Sequence, residues 1–158
     1  MSSKTKYYQY GTPKTYEIGD DTVILERKPV LIVEDDPGLS KLLQDFLETN
    51  DFQVTLVTNG SEGLQKILQT DYEAILCDMV MPNFPGDMFY LAVERARPHL
   101  CKRFIFMTGH LGDPQIDAFI RRVRGLMLWK PFQVHEVLDA IKTVQKKASS
   151  DGSDTKMM

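Results

Sequence analysis

The sequence predicts an α/β fold in which helices cover both faces of a parallel sheet. Between residues 29 and 147, short apolar runs alternate with helical segments, and this alternation repeats five times. Four of the five runs are continuously apolar, which is typical of strands that are buried on both faces of a parallel sheet. Repeats of this kind, joined by right-handed crossovers, predict a doubly wound sheet of five strands and five helices.

The five predicted strands are short and consist mainly of aliphatic and aromatic residues. They lie at residues 30–33, 54–57, 74–77, 104–107 and 126–128. The third strand is followed directly by Asp78 and then by a loop that contains Pro82 and Gly86. In open α/β sheets the chemistry lies at the carboxyl ends of the strands. Asp78 is therefore a candidate functional residue.

The helices are predicted from capping residues and from apolar side chains at helical spacing. Asp36 followed by Pro37 is typical of a helix start, because Asp caps free amides and Pro fits the first turn. Asp113 and Pro114 repeat this pattern before the fourth helix. The five helices are predicted to begin near residues 37, 60, 86, 114 and 134.

The two ends of the chain differ in composition from the repeats. Residues 1–28 are rich in tyrosine and lysine and contain a predicted hairpin, with strands at 16–18 and 22–25. We expect this extension to be a flexible arm, or an arm whose tyrosines dock on the domain or on a second copy of it. The domain is expected to span 29–147, and the polar residues 148–158 are predicted to form a disordered tail.

The composition predicts a cytoplasmic globular protein. At 158 residues, with 42% hydrophobic and 26% charged residues, the chain fits one domain with appendages. A net charge of −3 argues against direct nucleic-acid binding by bulk electrostatics. We expect no membrane insertion, because no apolar stretch approaches the roughly 20 residues of a span and the amino terminus lacks a signal-peptide core.

Polar groups follow four of the five predicted strands. They are the acidic run 34–36, Asp78, Thr108 and Lys130. If the strands are neighbours in one sheet, these groups meet at one edge, where a hard divalent cation such as Mg²⁺ would relieve the repulsion between carboxylates. Lys130 could contact a phosphate or Asp78, Thr108 could donate a hydrogen bond, and an Asp carboxylate can form an aspartyl-phosphate.

Each of these groups also has a simpler interpretation. Acidic residues are favoured at any helix amino terminus, so the run 34–36 could be a capping feature. A Thr at a strand end is commonly structural, and a Lys before Pro is commonly a solvated turn residue. The occurrence of all these groups together, each at a strand end, favours phosphoryl transfer over the separate explanations.

Four stretches carry a family resemblance. They are 31–36 (Leu-Ile-Val-Glu-Asp-Asp), 78–82 (Asp-Met-Val-Met-Pro) with Gly86, 107–109 (Met-Thr-Gly) and 130–132 (Lys-Pro-Phe). Together they resemble the receiver domain of two-component response regulators over residues 29–147. The resemblance implies a flavodoxin-like sheet with strand order 2-1-3-4-5. The stretch 107–132 also resembles receivers attached to sensor histidine kinases.

The resemblance implies a phosphorylation and metal site. Asp78 matches the phosphoacceptor, while Glu34 and Asp35 match the acidic pair that holds Mg²⁺, for which Mn²⁺ can substitute. Asp35 is the expected direct ligand, and Asp36 lies outside the pair. Val80 matches the residue whose backbone carbonyl binds the metal, and Asp78 also matches a metal ligand. Its valine side chain departs from the family, which often has a polar residue there.

The resemblance also implies a conformational switch. Thr108 matches the switch hydroxyl and Lys130 the invariant lysine, and the Lys130–Pro131 peptide bond matches one that is usually cis. Met127 departs from the pattern, because the family usually has Tyr or Phe there, with a rotamer that follows the Thr. His110 could face the site, but the expected position is an ordinary one on the surface.

The function implied by the resemblance is signalling rather than conversion of a separate substrate. A sensor histidine kinase donates a phosphoryl group to Asp78 with Mg²⁺, and the domain catalyses only its own phosphorylation and dephosphorylation. The surface around the fourth helix and fifth strand then changes its affinity for a downstream protein, whose identity the sequence does not give. A weak homodimer is compatible with this function. The chain is expected to be a stand-alone receiver or one excised from a larger sensor.

Three other functions fit the residues less well. A phosphohydrolase of the haloacid-dehalogenase type needs a second acid two residues after the nucleophile, and Val80 stands there. A nucleotide-binding domain would need a glycine-rich phosphate loop, and the sequence contains none. A receiver-shaped interaction module that is never phosphorylated would not need the full set of acids, Thr and Lys, although Met127 leaves this alternative open.

Overall fold

The computed structural model describes residues 5–9, 12–16 and 27–154, with side chains described from 27 to 150. Strands β1 (Thr5–Gln9) and β2 (Thr12–Tyr16) pair as an antiparallel hairpin. The hairpin predicted at 16–18 and 22–25 lies outside the described residues, apart from Tyr16 at the end of β2.

The remaining described strands form one five-stranded parallel sheet. They are β3 (Lys28–Val33), β4 (Phe52–Val57), β5 (Ala74–Asp78), β6 (Phe104–Thr108) and β7 (Leu126–Trp129). Their order is β4-β3-β5-β6-β7, which is 2-1-3-4-5 when the strands are counted from β3. The predicted fold class and strand order are confirmed. Strand β5 is central, so Asp78 lies at the middle of the carboxyl edge.

Five α-helices connect or follow these strands. They are α1 (Pro37–Thr49), α2 (Gly60–Ile67), α3 (Gly86–Ala96), α4 (Pro114–Val123) and α5 (Val134–Asp154), with a 3-10 helix at Pro98–Arg103. The predicted caps are confirmed: Asp36 accepts hydrogen bonds from the first amides of α1, and Asp113 does the same for α4. None of the described helices combines the length and apolar character needed to cross a bilayer.

Helix α5 is longer than the sequence predicted. It continues to Asp154, whereas a disordered tail was expected from Ala148. Within this last part, Ser149 Oγ donates to the Gln145 carbonyl, 3.0 Å away and one turn earlier. Polar composition alone therefore did not locate the end of the helix.

Two apolar layers, one on each face of the sheet, form the core. Alternate residues of β5 face opposite layers, as the period of a strand requires: Ile75 and Cys77 pack towards α2, α3 and α4, whereas Ala74 and Leu76 pack towards α1 and α5. All residues of β5 are buried. The sheet thus holds the carboxyl ends of its central strands on a rigid base.

Candidate functional site

Four strand ends bring the predicted site residues together at the carboxyl edge of the sheet. Asp78 is the last residue of β5 and Thr108 the last of β6, while Glu34 and Lys130 directly follow β3 and β7. Glu34, Asp78 and Thr108 are 1%, 5% and 0% exposed, whereas Asp35 is exposed. The site therefore has a buried floor and one carboxylate that faces solvent.

Three carboxylates form a group that could hold a metal ion. Glu34, Asp35 and Asp78 each offer an oxygen, and these oxygens lie within 4.8 Å of one another. Octahedral ligands about 2.1 Å from Mg²⁺ lie about 3.0 Å apart when adjacent and about 4.2 Å apart when opposite, so a bound ion would draw these oxygens closer together. The donor set consists of hard oxygen atoms, which suits Mg²⁺ or Mn²⁺.

Backbone and side-chain contacts hold Glu34 in place. Its amide donates to the carbonyl of Val57 at 3.1 Å, and its carbonyl accepts from Ser40 Oγ at 3.3 Å. Its Oε1 accepts from the Asp36 amide at 3.2 Å. Asp36 therefore caps α1 and orients Glu34, and it lies outside the three-carboxylate group.

Lys130 bridges the two buried carboxylates. Its Nζ donates to Glu34 Oε2 at 3.0 Å and to Asp78 Oδ2 at 3.2 Å. The Lys130 amide donates to the carbonyl of Thr108 at 2.8 Å, which ties the residue to β6. The following peptide bond, to Pro131, is cis. The ammonium group thus supplies the positive charge nearest to the candidate phosphoacceptor among the described contacts.

Burial and mutual charge shift the pKa values of this group. Burial raises the pKa of Glu34 from 4.5 to about 7, although the hydrogen bond from Lys130 acts to lower it. The negative charge of the neighbouring Asp78 adds to the increase. Burial alone would lower the pKa of Lys130, but its hydrogen bond to Glu34 and the charge of Asp78 outweigh that effect and raise it. A proton on Glu34 and a bound cation are therefore alternatives for balancing the charge.

Both oxygens of Asp78 have a defined partner. Oδ2 faces Lys130, and Oδ1 accepts from the Val80 amide at 3.1 Å. The backbone behind Asp78 leaves no room for a side chain at Gly86, where a Cβ would lie 2.5 Å from the Asp78 carbonyl oxygen. Val80 is 46% exposed.

The Thr108 hydroxyl is held by the turn that follows it. Its Oγ1 accepts from the His110 amide at 3.1 Å, and the residue itself is buried. The hydroxyl proton remains available for an acceptor placed on Asp78. The His110 side chain is exposed, which agrees with an ordinary surface position.

Met127 lies beside an open space rather than in a filled core. It is half-buried and packs against the layer formed with α2, α3 and α4. With Trp129 it lines a cavity of about 310 Å³, whose other walls are Asp117, Ile120 and Arg121 of α4. The open space between α4 and β7 therefore borders the position where receivers usually carry an aromatic side chain.

Sequence reasoning missed the supporting residues of the site. Ser40 is buried and fixes the backbone of Glu34, but a serine in the first helix gives no such signal in the sequence. Phe84 packs on Gly60 from a distant part of the chain. Asn59 followed by Gly60 indicates a helix start, but only the structure shows that Gly60 leaves space for the Phe84 ring.

A family profile and curated proteins both match the chain. The profile of the response regulator receiver domain matches residues 30–142. The chain is 34% identical over 104 residues to "Transcription factor SKN7" of Candida albicans, covering 65% of this chain and 18% of that protein. It is 28% identical over 120 residues to "Transcriptional regulatory protein BaeR" of Escherichia coli, covering 75% of this chain and 48% of that protein. The chain thus spans half or less of these two relatives.

Solved structures share the fold. A CheY-like receiver domain protein from Methanospirillum hungatei has a TM-score of 0.72 at 23% identity, covering 78% of this chain and 98% of that chain. The receiver domain of a signal transduction histidine kinase from Syntrophus aciditrophicus has a TM-score of 0.67 at 24% identity, with 76% and 91% covered. At these identities the likeness concerns the fold alone.

Proposed function

Because the chain belongs to the response regulator receiver domain family of two-component systems, we propose that it accepts a phosphoryl group on Asp78 from a sensor histidine kinase. The observation that carries the proposal is the position of Asp78, with one oxygen facing Lys130 at 3.2 Å and the other held by the Val80 amide at 3.1 Å. A carboxylate oriented in this way is suited to attack on phosphorus.

The residues around Asp78 have complementary roles in such a transfer. An Asp78 oxygen forms the new bond to phosphorus while the bond to the imidazole nitrogen of the donor breaks and the electron pair leaves with the imidazole. Lys130 neutralises charge on the phosphoryl oxygens, and Thr108 donates to one of them. Glu34 and Asp35 would hold Mg²⁺ together with Asp78 and the Val80 carbonyl. The bound ion would supply further positive charge for the phosphoryl oxygens.

The same residues suggest how phosphorylation would reach the surface. The Thr108 hydroxyl accepts from the His110 amide. A movement of that hydroxyl towards phosphorylated Asp78 would displace the turn that precedes α4. The cavity lined by Met127 and Trp129 lies between α4 and β7, so its shape would change with the turn. We infer that a downstream protein binds this surface differently in the two states.

The catalytic role, the compartment and the class of output are inferred from the family. The catalysis is confined to the domain's own phosphorylation and dephosphorylation, and the expected compartment is the cytoplasm, where sensor kinases present their phosphohistidine. The named relatives are transcription factors and transcriptional regulatory proteins. A downstream protein or attached domain that controls transcription is therefore the proposed class of output.

Phosphorylation from a small donor tests this function without knowledge of the kinase. The protein is incubated with acetyl phosphate and Mg²⁺, and its intact mass is measured over time. We expect one added phosphoryl group in the parent and in Asp139→Asn, which changes an exposed acid on α5. Asp78→Asn and a sample with EDTA should remain unmodified. Equal modification of Asp78→Asn and the parent would contradict the proposal.

A further inference from the structure

The β5–α3 loop, residues 79–85, touches α2 through one aromatic ring. A Cβ placed on Gly60 would lie 1.8 Å from Cδ1 and 2.6 Å from Cε1 of Phe84. The Phe84 ring therefore lies directly against the α carbon of Gly60, the first residue of α2. The backbone of Gly60 is not in the left-handed region, so glycine is needed here for space rather than for conformational freedom.

The other end of the loop is also held by close backbone packing. A Cβ on Gly86 would lie 2.5 Å from the Asp78 carbonyl oxygen and 2.9 Å from the Met79 Cα. The Gly86 amide donates to the Met79 carbonyl at 3.2 Å. The cap position of α3 is Pro85, which provides no side-chain hydrogen bond to the helix. The loop is therefore held by packing rather than by a polar cap: Met79 and Met81 are buried in the core, while Phe84 lies on Gly60 and Gly86 lies against the Asp78 backbone.

We propose that the Gly60–Phe84 contact is a positioning device for the metal site, an inference that rests on the proposed function. Val80, whose carbonyl is the expected metal ligand, lies in the β5–α3 loop between Asp78 and Phe84. The Val80 amide already bonds to Asp78 Oδ1 at 3.1 Å, so a shift of the loop also moves the acceptor carboxylate. Mg²⁺ demands near-ideal octahedral geometry, so small shifts of its ligands weaken binding.

Two substitutions break the contact from opposite sides. Gly60→Ala displaces the ring, and Phe84→Ala removes it, leaving α2 unchanged. Both proteins and the parent are titrated with Mn²⁺, without any phosphodonor, and free Mn²⁺ is followed by electron paramagnetic resonance. Losses of supporting groups around metal ligands typically reduce affinity 10- to 100-fold, so we expect a dissociation constant about tenfold higher in each variant. The double variant should be no weaker than the single ones, because both act through one contact.

The structure supplies a matched control one turn further along α2. A Cβ on Gly63 would lie 3.0 Å from Cζ of Phe89, a buried residue of α3 that is outside the loop. This Cβ would also lie 3.3 Å from Cγ2 of Val33 in β3, so Gly63→Ala disturbs the packing of α2 on α3 and β3 but not its contact with Phe84. We expect Gly63→Ala to keep the parental Mn²⁺ affinity. If Gly60→Ala does not fold, Phe84→Ala carries the test, and Phe84→Leu, which keeps an apolar side chain on Gly60, should lose less Mn²⁺ affinity than Phe84→Ala.

The outcomes separate this inference from the proposed function. Folded Gly60→Ala and Phe84→Ala proteins with parental Mn²⁺ affinity would overturn the positioning role and leave the metal site intact. Equal losses of affinity in Gly63→Ala and Gly60→Ala would also overturn it, because the effect would then be general packing. A parent protein that binds no Mn²⁺ would contradict the metal site itself and, with it, this inference.

Discussion

Lys130 Nζ lies 3.0 Å from Glu34 Oε2, although the two residues are 96 positions apart in the chain. The contact joins the first and last strands of the five β-α repeats, and the same ammonium also reaches Asp78. In the metal-free protein, Lys130 therefore balances part of the charge that a divalent cation would balance. Four predictions follow from this arrangement and from the residues beside it.

Asp35 should be required for metal binding but not for folding. It is the exposed member of the acidic group, so Asp35→Ala should change stability little and largely abolish Mg²⁺ or Mn²⁺ binding and Asp78 phosphorylation. Asp36→Ala is the matched control: it removes the α1 cap and should cost about 1 kcal/mol of unfolding free energy while metal binding persists. Undiminished metal affinity in Asp35→Ala would rule out its assigned role.

Glu34 should make the metal-free protein less stable as pH rises. Its pKa is about 7 in the folded state against 4.5 ordinarily, so the folded state binds more protons between these values. Stability contributed by protonated Glu34 is therefore lost from pH 4.5 to about 7, by an amount on the order of 1–3 kcal/mol. Urea unfolding in EDTA at pH 5 and pH 8 should show this loss in the parent and a smaller one in Glu34→Gln. Parallel losses in both proteins would contradict the prediction.

Met127 should weaken the coupling between Thr108 and the surface. Methionine is flexible, so it does not provide two well-separated rotamer states. Amide chemical shifts at residues 108–130 should therefore change less sharply with a beryllofluoride phosphate mimic in the parent than in Met127→Tyr, whose ring has the cavity of about 310 Å³ beside it. A large two-state change confined to this surface in the parent would count against the idea.

Val80 should prolong the phosphorylated state. Its side chain is 46% exposed beside Asp78 and can neither donate nor accept a hydrogen bond, so it cannot hold an attacking water. Val80→Asn should speed loss of the phosphoryl group by roughly tenfold, equivalent to about 1.4 kcal/mol in the barrier. Both decays are followed by intact mass at one Mg²⁺ concentration. If Val80→Asn decays no faster, His110 becomes the residue to test.

The sequence was sufficient to predict the sheet and the residues at its carboxyl edge. The apolar runs, the caps Asp36 and Asp113 and the polar residues after each strand are local signals, and strand order follows from the family. The sequence predicts that Lys130 contacts a phosphate or Asp78, whereas its bond to Glu34 spans two intervening strands and is seen only in the structure.

The supporting contacts could not be predicted because they depend on packing between distant segments. Gly60 reads as an ordinary helix start, and nothing local indicates that Phe84 rests on it. Strand β2 contains Pro13, which usually argues against a strand, but both strands of a two-stranded hairpin are edges and an edge tolerates proline. Local composition therefore did not indicate a strand at residues 12–16.

The position of the phosphoryl group tests the central claim most directly. After phosphorylation with acetyl phosphate and Mg²⁺, borohydride reduction converts an aspartyl-phosphate to homoserine, and tandem mass spectrometry of the digested protein locates it. We expect homoserine at position 78 and aspartate at the neighbouring positions 35 and 36. Homoserine at another acid, with aspartate intact at 78, would contradict the assignment of Asp78 as the phosphoacceptor.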